Sequence, residues 1–110
     1  MILREARIKF SYLFAEKLLP KARELGFEYA LDEITQHQGK GHMVGSLHYY
    51  GCAGDLIIYD INGTYLTVTE NYRPLGEYWE SLNPNCKWGG RFKDGNHFSY
   101  SPKELFGNKA

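Results

Sequence analysis

Leu3, Ala6, Phe10, Leu13, Phe14 and Leu18 recur at spacings of three and four, the period at which side chains share one face of a helix. The pattern predicts an amphipathic first helix with its apolar stripe on the core. Pro20 interrupts it, so residues 20–25 are expected to form a kinked continuation or a second helix, closed by Gly26. Phe27 to Leu31 then reads as a short strand. A chain of 110 residues has room for one core of ordinary size, and residues 1–110 are expected to be a single domain with no separate binding module. Apolar residues at 43% and aromatics at 15% can fill that core, which argues against disorder.

From Asp32 to Gly51 periodicity disappears and Gly39, Gly41 and Gly45 collect among polar residues, the signature of a loop. Long loops in small domains tend to carry function. Asp55–Asp60 and Thr64–Val68 are β-rich runs flanking Asn62-Gly63, a hairpin signal. Pro74 to Leu82 reads as a short helix opened by proline, with Leu75, Tyr78, Trp79 and Leu82 on one side. A last strand is expected around His97–Tyr100, and Ser101-Pro102-Lys103-Glu104 matches a capping box before the polar tail Gly107 to Ala110.

Charge and targeting narrow the partners. Thirteen Lys and Arg balance thirteen Asp and Glu, so nothing steers the chain to nucleic acid or to an anionic membrane. Arg4, Glu5, Arg7 and Lys9 interrupt any signal-like apolar stretch, and no run approaches the roughly 20 residues that span a bilayer. Synthesis in the cytoplasm is therefore expected, with any export depending on another protein or on lysis. Cys52 and Cys86 are expected as free thiols.

The chemistry-bearing residues are His48, Asp55, Asp94 and His97, arranged as His-x6-Asp and, far downstream, Asp-x-x-His. Two imidazoles and a carboxylate make a three-ligand set that leaves a catalytic zinc an open position. On a continuous strand His48 and Asp55 would stand about 23 Å apart, and on a helix still about 10 Å, so neither element lets them share a metal. The chain must turn back between them, and Gly51-Cys52-Ala53-Gly54 supplies the small residues for that return. In Asp94-Gly95-Asn96-His97 one group can bind metal while the other reaches a water. A purely structural metal, with Cys52 as a fourth ligand, is the rival reading of the same residues.

Ser46-Leu-His48-Tyr-Tyr-Gly51-Cys-Ala53-Gly-Asp55-Leu56, Leu75-Gly-Glu-Tyr-Trp79, Trp88-Gly-Gly90 and Asp94-Gly-Asn-His97-Phe98 together resemble the M15 family of zinc peptidases. The likeness is greatest to small phage endolysins that cleave the L-alanyl-D-glutamate bond of peptidoglycan; other relatives are D-alanyl-D-alanine carboxypeptidases and dipeptidases. The resemblance implies an α+β fold, with an antiparallel sheet, helices on one face and zinc on the sheet's open side. It implies that His48, Asp55 and His97 bind Zn2+, that Asp94 is the catalytic acid/base, and that the partner is the peptidoglycan stem peptide. With no signal-like segment, the chain is expected in the host cytoplasm before lysis, acting on the cell wall after release through a pore made by another protein. Ser46 is expected to support the ligand loop, and Trp88, Gly89 and Gly90 to shape a groove or, like Trp79, to fill the core. Many relatives carry an Arg after the first strand that polarises the scissile carbonyl. Thr35 stands at about that place, with His37, Gln38, His42 and Arg91 as substitutes by type.

Overall fold

The computed structural model describes residues 1–32 and 46–110. Its elements are helix α1 (Leu3–Leu13), a π-helical segment (Phe14–Leu18), α2 (Leu19–Glu24), strand β1 (Glu28–Asp32), β2 (Ala53–Tyr59), β3 (Tyr65–Leu66), α3 (Arg73–Leu82), β4 (Cys86–Trp88), β5 (His97–Tyr100) and α4 (Lys103–Phe106). Short 3-10 turns at Leu47–Tyr50, Thr69–Tyr72 and Gly89–Phe92 connect them. This is the expected α+β architecture. No helix among the described residues is long and apolar enough to cross a membrane.

Of the predicted stripe, Ala6, Phe10, Leu13, Phe14 and Leu18 are buried and Leu3 is half-buried against them; Ala22 extends the buried face into α2. The expected kink at Pro20 is instead a π-helical turn just ahead of it. Proline has no N–H to give to the preceding turn, and widening that turn lets the helix run on without a break. Gly26, at φ 91°, then ends it in the left-handed conformation that glycine tolerates.

Every strand pair is antiparallel, in the order β1-β2-β5-β4, with β3 also on β2. On β2, Leu56 and Ile58 are fully buried, and a side chain at Gly54 would run into Phe14 and Phe10. That face packs on the helices. Phe10, Phe14 and Phe98 surround the Trp79 ring edge-on at 5.9, 6.3 and 6.2 Å, joining α1, the π segment, β5 and α3 into one core. Ala53, Asp55, Ile57 and Tyr59 alternate onto the open face.

Several expectations need correction. The strand placed at Asp55 begins two residues earlier, so Gly51 and Gly54 have different tasks: Gly51 turns the chain at φ 73°, while Gly54 makes room for Phe14. The second hairpin strand is only two residues long, because Thr67 and Val68 leave the sheet to enter the Thr69–Tyr72 turn. Strand β4 carried no sequence signal, since Cys86–Trp88 is too short to show alternation. The capping box does not form: Pro102 occupies the cap position, and the Ser101 hydroxyl donates instead to the Lys109 carbonyl. The loop glycines Gly39, Gly41 and Gly45 lie outside the described residues.

Candidate metal centre

His48, Asp55 and His97 converge on the open face of the sheet. Asp55 and His97 are direct cross-strand partners on β2 and β5, so their side chains share that face. His48 arrives from the turn Leu47–Tyr50. The Ser46 hydroxyl accepts a hydrogen bond from the His48 N–H at 3.2 Å and caps the turn, the supporting role expected of it. Gly51 reverses the chain, and the Cys52 carbonyl accepts from Tyr100 N–H at 2.9 Å, tying the turn to β5. The spacing of seven is bridged by a turn that docks on the strand carrying the third residue.

The three donor atoms form a nearly equilateral triangle. His48 Nε2 lies 3.2 Å from Asp55 Oδ1 and 3.2 Å from His97 Nδ1, and His97 Nδ1 lies 3.4 Å from Asp55 Oδ1. Ligands held at about 2.0–2.1 Å around a tetrahedral zinc stand about 3.3–3.4 Å from one another, so this triangle fits one face of such a site. Asp55 Oδ1 is buried and accepts no well-aligned hydrogen bond. A buried carboxylate oxygen in that state lacks a partner that a cation would supply. Burial pushes the Asp55 carboxyl up, but the imidazoles of His48 and His97 pull harder and hold it well below the usual carboxylate range. It is therefore a charged donor, ready for a metal. The other nitrogen of His97, Nε2, is 3.3 Å from the Ala110 carbonyl oxygen, a contact that orients the ring when Nε2 carries the proton.

Among the described residues, this is the group of His, Cys, Asp and Glu side chains that could hold a metal. Cys52 stands outside it, fully buried with its thiol toward the Tyr50 carbonyl at 3.7 Å. Both cysteines are free, as expected. The fourth-ligand role considered for Cys52 has no support here.

Asp94 does not join the triangle. It sits in the tight loop between the Gly89–Phe92 turn and β5, where its N–H donates to the Gly89 carbonyl at 2.9 Å and its carbonyl accepts from His97 N–H at 3.1 Å. A Cβ at Gly89 would come within 2.1 Å of the Asp94 carbonyl oxygen and 2.7 Å of His97 Cβ, so only glycine allows this closure. The fully buried Trp88 holds the same loop: its indole N–H donates to the Gly95 carbonyl at 2.7 Å. Trp79 and Trp88 are core residues, yet Trp88 also positions the segment between Asp94 and His97, which sequence alone did not show. Asp94 lines a groove of about 190 Å3 with Tyr65, Thr67, Thr69, Lys93 and Asn96.

Of the substitutes considered for the expected arginine, Thr35, His37, Gln38 and His42 lie outside the described residues. Arg91 is committed elsewhere: its guanidinium pairs with Glu80 at 2.7 Å and stacks over Trp88.

Two imidazoles and a half-buried carboxylate gathered on the open face of an α+β sheet are a donor set that can hold a metal ion. A family model described as D-alanyl-D-alanine carboxypeptidase matches residues 39–100, more than half of the chain, and the protein belongs to this M15 peptidase family. M15 peptidases are typically metal-dependent, and the His48, Asp55 and His97 cluster provides what such a metal needs. Membership and cluster together point to a metallopeptidase acting on peptidoglycan. No curated protein matches the chain.

Proposed function

We propose that this protein is a zinc-dependent peptidoglycan peptidase of the phage endolysin type, hydrolysing the L-alanyl-D-glutamate bond of the stem peptide. The donor triangle with edges of 3.2, 3.2 and 3.4 Å, closed around a buried carboxylate oxygen, carries this reading. His48 Nε2, Asp55 Oδ1 and His97 Nδ1 would hold the metal. When bound, zinc would supply Lewis-acid polarisation of the scissile carbonyl and a lowered pKa for the attacking water.

Asp94 is the acid/base on this reading. It takes a proton from the attacking water and returns it to the departing amine as the C–N bond breaks. Gly89 and Trp88 keep its loop in place, and Ser46 steadies the turn that delivers His48. On this reading the protein reaches the wall through a pore formed by a separate protein. Wall cleavage by the expressed chain with no such partner and no lysis would refute that part.

The experiment is zinc analysis together with digestion of purified peptidoglycan by wild type and Asp94→Ala, identifying new termini by mass spectrometry. One zinc per chain, new L-alanine carboxyl and D-glutamate amino ends, and a metal-loaded but inert Asp94→Ala support the reading. Release of free D-alanine instead would assign the carboxypeptidase activity for which the family is described. A zinc-loaded wild type that cuts nothing would leave a structural, virion-associated role as the better account.

A further inference from the structure

The groove beside Asp94 exists because the sheet changes partners along one edge of β2. Strand β5 pairs with Ala53–Asp55 and β3 with Ile58–Tyr59, so the residues between them are flanked by the Asp94–Asn96 loop, whose Asn96 carbonyl accepts from Leu56 N–H at 2.9 Å. The segment after β3 forms the opposite wall. At Gly95 the walls touch: a Cβ there would lie 2.7 Å from Thr69 Cα. Through Asn96 the groove begins one residue along the chain from His97, and Asp94 is part of its lining.

Its lining is rich in hydrogen-bond donors. Tyr65, Thr67 and Thr69 contribute hydroxyls with no hydrogen-bond partner among the described residues, whereas the Tyr72 hydroxyl is spent on Ile58 N–H and the Leu66 carbonyl. The cation is Lys93. The neighbouring Arg73 and Arg91 are bound to Glu70 and Glu77 and to Glu80, while Lys93 has no ion-pair partner among the described residues. Lys93 is also the non-glycine residue with positive φ, at 65°, among the described residues. That left-handed residue caps the Gly89–Phe92 turn, and its N–H closes onto the Gly90 carbonyl at 3.4 Å, which sets Lys93 at the mouth of the Asp94 loop.

We propose that Lys93, with the Thr67 and Thr69 hydroxyls, binds a carboxylate on the amine-side residue of the scissile bond. This rests on the peptidase reading and deepens it. Asp94 must stand at the departing nitrogen to give it a proton, so a groove lined by Asp94 receives the residue that carries that nitrogen. In an L-alanyl-D-glutamate bond that residue bears a free α-carboxylate, and in a D-alanyl-D-alanine terminus it bears the chain-end carboxylate. The groove's chemistry suits either one, an ammonium and hydroxyls around an anion.

Two matched probes test it: N-acetyl-L-alanyl-D-glutamate peptide with its α-carboxylate free, and the same peptide with that group as the amide. Wild type is expected to favour the acid about tenfold in KM, the scale of one charge-assisted hydrogen bond. Lys93→Gln should abolish the preference, bringing KM for the acid to that for the amide, and Lys93→Arg should restore it. Equal discrimination by wild type and Lys93→Gln would overturn the proposal. The full zinc-loaded chain is also titrated with both probes by NMR, reading the amide signals of residues 65–69 and 93–96. If wild type cuts neither probe, the L-alanyl-D-glutamate reading fails. In that case, acid-selective, Lys93-dependent shifts would still support the carboxylate site, and shifts that ignore either would sink it.

Discussion

Gly76→Ala sets two effects of opposite sign against each other. Gly76 lies within α3, where replacing glycine by alanine ordinarily stabilises a helix by about 1 kcal/mol. Here a Cβ would fall 2.0 Å from Trp88 Cδ2 and 2.4 Å from two further indole atoms. Carbon atoms pack at about 3.5–4.0 Å, so the ring would have to retreat by well over an ångström. It has little room to move: a Cβ at Gly90 would likewise be 2.2 Å from the same indole, Trp88 is fully buried, and its N–H is fixed to Gly95. Overpacking costs about 1–3 kcal/mol and sometimes more, and this rigid slot belongs at the upper end. Subtracting the helix gain leaves a net loss of about 2 kcal/mol, which lowers the urea midpoint by roughly 1 M at a slope of about 2 kcal/mol/M. Because the ring carries the Gly95 contact, the variant should also lose activity at temperatures where it remains folded. A Gly76→Ala protein as stable as wild type, or more so, in urea unfolding followed by tryptophan fluorescence would refute the sandwiched-indole argument.

Zinc at a hundredfold excess over its dissociation constant should stabilise wild type by about 2.7 kcal/mol in thermal unfolding. Asp55→Ala and His48→Ala should show no such gain, and an undiminished shift in either would remove that residue from the ligand set. Trp88→Phe keeps most of the ring but deprives the Gly95 carbonyl of its donor, a loss of about 1–3 kcal/mol. It should lower kcat more than it weakens zinc binding; unchanged kcat would confine Trp88 to the core. Burial pushes the Cys86 thiol up to about 12, and burial, partly offset by Arg7, pushes Cys52 up to about 11, from an ordinary 9.0. Both are folded-state increases, so the stability they give is complete below pH 9.0 and drains away as pH rises toward 11–12. Urea midpoints should fall over that window, and the fall should be shallower in Cys86→Ala; an identical slope would assign the effect to other groups.

Local pattern determined much of this protein. The spacing of Leu3 to Leu18 gives the first helix, Gly26 its end, Asn62-Gly63 the hairpin turn, and Pro74 to Trp79 the third helix, because each depends on contacts within a few residues. The order of His48, Asp55, Asp94 and His97 along the chain named the candidate site, and the turn demanded between His48 and Asp55 is there at Gly51. Tertiary structure decided the rest. Nothing local announces that Asp55 pairs with His97, since that register is set by Gly54, Leu56 and Phe98 fitting against the helices. Strand β4, the two-residue β3 and the slot for Trp88 have the same origin, being too short or too dependent on distant partners to leave a periodic signal. The groove that joins Thr67 and Thr69 to Lys93 is the clearest case. Its walls are more than twenty residues apart in sequence, and they meet only because β2 exchanges one strand partner for another beside the candidate metal centre.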